Sequence, residues 1–287
     1  MALYIGCAVW AHDDWAGSFF PPGTPTGARL GQYAQRLSCV ELNASFYAVP
    51  SVPTVQRWAA ETPETFRFCP KFPKTITHTA QLKDVQSQAS SFIGTMRLLG
   101  TRLGPLLLQM PPEFSPRRLP TLAHFLEHLP QGVQIVVEVR HPDFFVPEAE
   151  AELHKCLLLY GAGRAIMDSR PAFDSDSPEA IPAQERKPNV PLVTDPVQKF
   201  VLVRYISSPI IGENGRYFAE WAQRITEWLD ADRDVYFCVH CPVERHAPQL
   251  ARAFYRLIRS KRPKLPLLPW DEVERTAAEN PTQLPLF

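Results

Sequence analysis

The sequence carries no net charge, because 30 lysines and arginines balance 30 aspartates and glutamates. That balance excludes a surface that grips nucleic acid by phosphate neutralisation alone, so no strong independent nucleic-acid binding is expected. No apolar run approaches the roughly 20 residues of a membrane span, so no membrane partner is expected either. The opening Met1-Ala2-Leu3-Tyr4-Ile5-Gly6 lacks the basic region and long apolar stretch of a signal peptide, which points to the cytoplasm. In that compartment the six cysteines are thiols rather than disulfides. No turn of GxGxxG type is present, which removes the main signature of an open dinucleotide-binding sheet. No cofactor is expected.

What the chain does contain is a regular alternation. Eight β-rich runs recur, at Leu3 to Val9, Cys39 to Asn43, Phe66 to Lys71, Pro105 to Met110, Gln134 to Arg140, Arg164 to Asp168, Phe200 to Tyr205 and Asp234 to His240. Amphipathic helical patterns lie between most of them, at Ala28 to Leu37, Val52 to Glu61, Ser87 to Leu99, Leu119 to Leu129, Glu148 to Tyr160 and Tyr217 to Leu229. A last one, Ala247 to Ser260, follows the eighth run. Strands that alternate with helices pair in parallel. Eight such units predict an α/β fold, a single (β/α)8 TIM-type barrel over residues 1–260. The connection from Ser169 to Lys199 shows no helical period and six prolines, and it leaves the sixth strand on the side where a lid would form. From Lys261 to residue 287 the chain is again Pro-rich and reads as an extended tail.

The centre of the reading is Val40-Glu41-Leu42-Asn43. Residues two apart in a strand share a face, so Glu41 and Asn43 point the same way among apolar neighbours. Burying them without partners would cost several kcal/mol, roughly 2–7 for the amide alone. Other strand ends supply partners: Lys71, Gln109, Glu138 with Arg140, Asp168, Arg204 and His240. Three carboxylates facing three cations can share a half-buried mouth. As a site, Lys71, Arg140 and Arg204 would hold a small anionic or polyol ligand, with Asn43, Gln109 and His240 beside them. Glu41, Lys71, Glu138 and Asp168 are the catalytic candidates for acid–base chemistry of a hydrolase or lyase. If its neighbours lower its pKa, Lys71 could instead be a Schiff-base nucleophile. Among the aromatics that follow the strands, Trp10 and Tyr47 are best placed to touch a ligand.

Two other classes compete with the enzyme. One is a binding module that senses a small anion without turning it over. The other is a metal- or thiol-dependent enzyme. Glu138, Asp168 and His240 could ligate a divalent ion, but Arg204 lies between them and repels a cation. Cys238, His240 and Cys241 form a Cys-x-His-Cys run, and Cys7, Cys39 and Cys69 lie on the first three strands. Cysteine is a common small core residue, so no metal site is assigned.

These motifs together resemble the family called domain of unknown function 72, or YecE-like. The matching stretches are Ile5-Gly6 with Trp10, Phe19-Phe20-Pro21-Pro22-Gly23, Val40-Glu41-Leu42-Asn43 with Phe46-Tyr47, and Phe66-Arg67-Phe68 with Lys71. They continue through Thr77-His78, Leu103-Gly104-Pro105, Gln109-Met110-Pro111-Pro112, Glu138-Val139-Arg140-His141-Pro142 and Asp168. The resemblance implies a TIM-type barrel and carries no established activity. The chain departs from the usual pattern at Cys7-Ala8-Val9, at Ile206-Ser207-Ser208 and at His240-Cys241.

The last five residues, Gln283-Leu284-Pro285-Leu286-Phe287, resemble the peptide by which bacterial proteins dock on the DNA sliding clamp. Leu284, Leu286 and Phe287 would anchor in a preformed groove while Gln283 hydrogen-bonds at its edge. Pro263, Pro266, Pro269 and Pro281 would stiffen the tether. Clamp docking would supply the nearness to DNA that the neutral surface does not, and it tilts the expected substrate towards nucleotide-like compounds.

Overall fold

The computed structural model describes residues 1–279. Its strands are β1 (Leu3–Cys7), β2 (Cys39–Leu42), β3 (Arg67–Pro70), β4 (Leu106–Gln109), β5 (Ile135–Glu138), β6 (Gly163–Arg164), β7 (Ile166–Asp168), β8 (Phe200–Ile206) and β9 (Asp234–His240). Each falls on one of the eight sequence runs, β6 and β7 sharing the sixth, with β6 starting one residue before its run at Gly163 and β8 ending one residue past its run at Ile206. All pairings are parallel, as a strand–helix alternation requires. The fold is α/β, with a six-stranded sheet in the order β3-β2-β1-β9-β8-β7 and a three-stranded sheet in the order β4-β5-β6. The two sheets meet at both edges. At one, parallel bridges join Phe68 to Leu103 and Lys71 to Leu107. At the other, only Ala165 separates β6 from β7, and its N–H donates to the Val137 carbonyl of β5.

Helices cover the outside. The helix Val52–Glu61 starts where Ser51 accepts a hydrogen bond from the Thr54 N–H, with proline in its first turn. The helix Ala247–Lys261 buries Leu250, Ala251, Phe254, Tyr255 and Ile258, a three-and-four spacing that lays one stripe on the sheet. Between β1 and β2 the backbones approach closely at Gly6, where an added Cβ would lie 1.7 Å from the Cys39 carbonyl oxygen. Only glycine fits there. The Tyr33 hydroxyl bridges the same two strands, accepting from Cys7 N at 2.7 Å and donating to Cys39 O at 2.9 Å.

Two expectations about irregular segments change. The connection after β7 contains two short helices, Arg170–Phe173 and Ile181–Arg186. The chain beyond Lys261 is not extended throughout, since Pro269–Glu279 forms a helix. It is held by Asp271, which accepts from Arg252 and Arg256, and by Trp270, whose ring packs 5.0 Å from Phe19 under the Arg252 guanidinium. The prolines that suggested a tether include Pro269 in the first turn of that helix, where proline is tolerated. Among the described residues no helix is long and apolar enough to cross a membrane.

Candidate functional site

The site grows from the alternation of the strands. Cys39, Cys69, Leu107, Val136, Ala165, Leu202, Tyr236 and Cys238, drawn from both sheets, pack as one buried cluster. Two residues further along each strand the same face carries Glu41, Lys71, Gln109, Glu138, Met167, Arg204 and His240. All seven are buried.

Arg204 is the hub. Its Nε and Nη2 each donate to Glu41 at 2.8 Å, a two-pronged pairing, and its Nη1 donates to Glu138 Oε2 at 2.5 Å. Arg140 donates to Glu138 Oε1 at 2.7 Å and to Gln109 Oε1 at 2.8 Å. Asn43 Nδ2 donates to Glu41 Oε1 at 2.9 Å and to the Ala8 carbonyl at 3.0 Å. His240 Nε2 lies 3.0 Å from Glu41 Oε2. Burial alone would raise both carboxyls, but Arg204 and His240 hold Glu41 well below the usual range. Arg204 and Arg140 likewise pull Glu138 down to about 2 against its burial. Burial keeps His240 neutral, with its pKa lowered to about 4 despite Glu41. Both glutamates are therefore ionised structural partners of arginine and weak bases at neutral pH.

Lys71 differs from them. It follows β3, with its backbone clamped by Ser45, whose hydroxyl donates to Lys71 O at 2.7 Å and accepts from Lys71 N at 3.1 Å. Its side chain is 7% exposed and its Nζ sits 3.9 Å over the Phe46 ring. Among the described residues no carboxylate pairs with it, since Glu41 and Glu138 face Arg204 and Arg140. Burial, then Arg204, brings its pKa down to about 7. His78, 4.9 Å from the Phe46 ring, is lowered to about 4 by burial and then by Lys71.

Two titratable residues from irregular segments are also shifted, with charges of this network among the causes. Lys187, from the long connection after β7, is lowered to about 8 by burial and by Arg204. Glu244, after β9, is raised to about 7 by burial, with Lys187 opposing. Its Oε1 is buried without a hydrogen-bond partner among the described residues. A cavity of about 220 Å³ opens beside Glu41, lined also by Trp10, Asn43, Ala8 and Ala44.

Of the residues singled out in the sequence, Glu41, Asn43, Gln109, Glu138, Arg140, Arg204 and His240 thus form one network, with Lys71 at its edge. Trp10 lines the cavity and packs 5.2 Å from Trp58. Tyr47 is 81% exposed, while its neighbour Phe46 takes the place at Lys71. Asp168 is not brought into the mouth. It accepts from Arg170 Nε and Nη2, both at 2.9 Å, and from Trp221 Nε1 at 2.8 Å. Trp221 belongs to the helix Gly215–Asp230 and packs in the same core as Ile166, so Asp168 serves the outer face of β7, while Met167 and the preceding Ala165 pack in other clusters. Cys238 and Cys241 are likewise split. Cys238 joins Cys39 and Cys69 in the interior cluster, and Cys241 packs in the outer core. Burial holds the Cys39 and Cys69 thiols well above their usual range. Among the described residues one trio, His124, Glu127 and His128, has ligand atoms mutually within 4.8 Å, and it lies exposed on and just after the helix Leu119–Glu127. Lys187 and Glu244 were not expected. Glu244 has a weak signal, a carboxylate just beyond a strand end, but Lys187 has none.

Comparison with known proteins agrees with this fold. The family "Protein of unknown function DUF72" matches residues 4–274. The UPF0759 protein YecE of Escherichia coli K12 is 36% identical over 275 residues, covering 93% of this chain and 96% of that protein. The UPF0759 protein YunF of Bacillus subtilis is 29% identical over 153 residues, covering 50% of this chain and 53% of that protein. Crystal structures of DUF72 family proteins align as well. The one from Thermotoga maritima has a TM-score of 0.71 at 18% identity, covering 90% of this chain and 100% of that one. The one from Enterococcus faecalis has a TM-score of 0.68 at 17% identity, covering 90% and 98%. With a family match over nearly its whole length and a relative above a third identical, the chain belongs to the DUF72 family.

Proposed function

We propose that the protein is an acid–base enzyme acting on a small phosphorylated or polyhydroxylated anion at the strand ends. The observation that carries this reading is an excess of cationic groups. Lys71, Arg140 and Arg204 share one mouth with two carboxylates that are committed to the arginines, Glu41 and Glu138, and Lys71, like Lys187 of the long connection, is depressed by burial and by Arg204. A bound anion would relieve that repulsion. The cavity beside Trp10 and Asn43 offers a ring face and an amide for a hydroxylated portion. Lys71 and Glu244, each near 7, are the groups able to exchange protons at neutral pH, while Glu41 and Glu138 hold Arg204 in place. The test is thermal shift with a panel of phosphate esters, sugars and divalent metals. The expected result is stabilisation by phosphate esters that is lost in Lys71→Ala and in Arg140→Ala. Stabilisation by metals only, or by no anion, would overturn the reading.

A second reading concerns a partner. Gln283, Leu284, Leu286 and Phe287 lie outside the described residues, and their sequence supports docking on the bacterial DNA sliding clamp. Titration of purified clamp with the full chain and with a chain truncated after Pro281 tests it. Equal binding by the two would end the idea.

A further inference from the structure

Lys71 has the setting of a nucleophile rather than of an ion-pair partner. Its backbone is hydrogen-bonded on both sides by Ser45, so the base of the side chain is fixed. The stem is buried, and the terminal nitrogen rests on the face of Phe46. The two carboxylates on the same interior face are occupied by guanidinium groups. Burial and then Arg204 bring this amine to about 7 although Glu41, Glu138 and the Phe46 face favour its ammonium form, so near neutral pH a large share of it is uncharged.

We propose that Lys71 forms an imine with the carbonyl carbon of an anionic aldehyde or ketone bound in this mouth. This deepens the anion-site reading and rests on it. The neutral amine adds its lone pair to the carbonyl carbon, and the C=O π pair moves to oxygen, which takes a proton. Loss of water then leaves the protonated imine. The net change is ammonium plus carbonyl giving iminium plus water, with nothing oxidised or reduced. The iminium withdraws electrons from the adjacent carbon, which suits C–C cleavage, dehydration or enolisation. Arg140, whose side chain keeps 11% of its surface open at the edge of the network and is hydrogen-bonded to Glu138 and Gln109, is the cation placed to meet the anionic end.

The full-length protein is incubated with dihydroxyacetone phosphate or with uncharged dihydroxyacetone, reduced with sodium borohydride, digested and mapped by mass spectrometry. The expected result is one reduced adduct on the peptide containing Lys71, formed about tenfold faster with the phosphorylated probe, a difference of about 1.4 kcal/mol. Mapping the parent protein needs no variant to fold. Lys71→Arg, which keeps the charge, is expected to lose the adduct. Adducts on Lys187 or on surface lysines alone, or no adduct with either probe, overturn the proposal. Thermal stabilisation by dihydroxyacetone phosphate without any adduct overturns the imine and leaves the anion site standing. An adduct at Lys71 at equal rates with both probes keeps the imine and removes the anion site.

Discussion

Two layers of the same interior lie two residues apart along each strand. The lower layer holds Cys39, Cys69, Leu107, Val136, Leu202 and Cys238, and the upper holds Glu41, Lys71, Gln109, Glu138, Arg204 and His240. Both are shielded from water and both are built on the same backbone. The lower is held by non-directional packing, which tolerates swaps of similar volume. The upper is held by hydrogen bonds whose partners must all be present, because a buried charge left alone is costly. Stability therefore comes from the lower layer, and the upper layer is free to carry chemistry only as a complete set.

The largest effect should come from opening that set. Arg204→Leu leaves Glu41 and Glu138 buried without a guanidinium, and a loss of about 3–5 kcal/mol is expected by denaturant unfolding. The triple variant Glu41→Leu, Glu138→Leu, Arg204→Leu makes the upper layer resemble the lower. It is expected to recover most of that loss while abolishing stabilisation by phosphate esters. A triple variant no more stable than Arg204→Leu would mean that the ion network is not what the single change disrupts. The matching change below is Val136→Ala. Two buried methylene equivalents at about 0.8 kcal/mol each, plus a cavity, give roughly 2 kcal/mol, with the phosphate-ester response retained.

Lys71 should reveal itself through pH. Its folded value of about 7 lies below the ordinary 10.5, so below pH 7 both states are protonated and the folded state bears the full cost of the buried ammonium. Between 7 and 10.5 the folded state sheds a proton that the unfolded state keeps, and stability rises with pH. Lys71→Met is therefore expected to be more stable than the parent at pH 6, with the advantage shrinking as pH climbs through this window. A constant difference from pH 6 to 10 would place the folded pKa near its ordinary value. The smallest effect belongs to Tyr47→Ala. That exposed ring touches Phe46 but not the network, and a change within about 0.5 kcal/mol is expected, with no change in the response to phosphate esters.

How far each layer could be read from sequence follows from the same contrast. The Val52–Glu61 helix was legible to the residue because its N-cap serine, first-turn proline and apolar spacing agree. Glu41 and Asn43 announced themselves as polar residues sharing a face inside an apolar strand. Asp168 misled because Arg164-Ala165-Ile166-Met167-Asp168 has small or apolar residues on both faces, so alternation could not say which was inside. Trp221, its partner, is 53 positions away. Lys187 and Glu244 come from segments without a period, where position in space depends on the rest of the fold being in place. The helix Pro269–Glu279 was hidden by prolines that sit at or before its first turn.

The hub also says something about the order of assembly. Arg204 lies 163 positions after Glu41 and 66 after Glu138. During synthesis both carboxylates leave the ribosome well before the guanidinium that they require. A nascent chain ending before β8 can close its apolar lower layer only in part and has two acidic strand ends with no counter-charge. Such a chain keeps those ends wet until Arg204 arrives, so the last strands translated act as the signal that the polar centre may dehydrate.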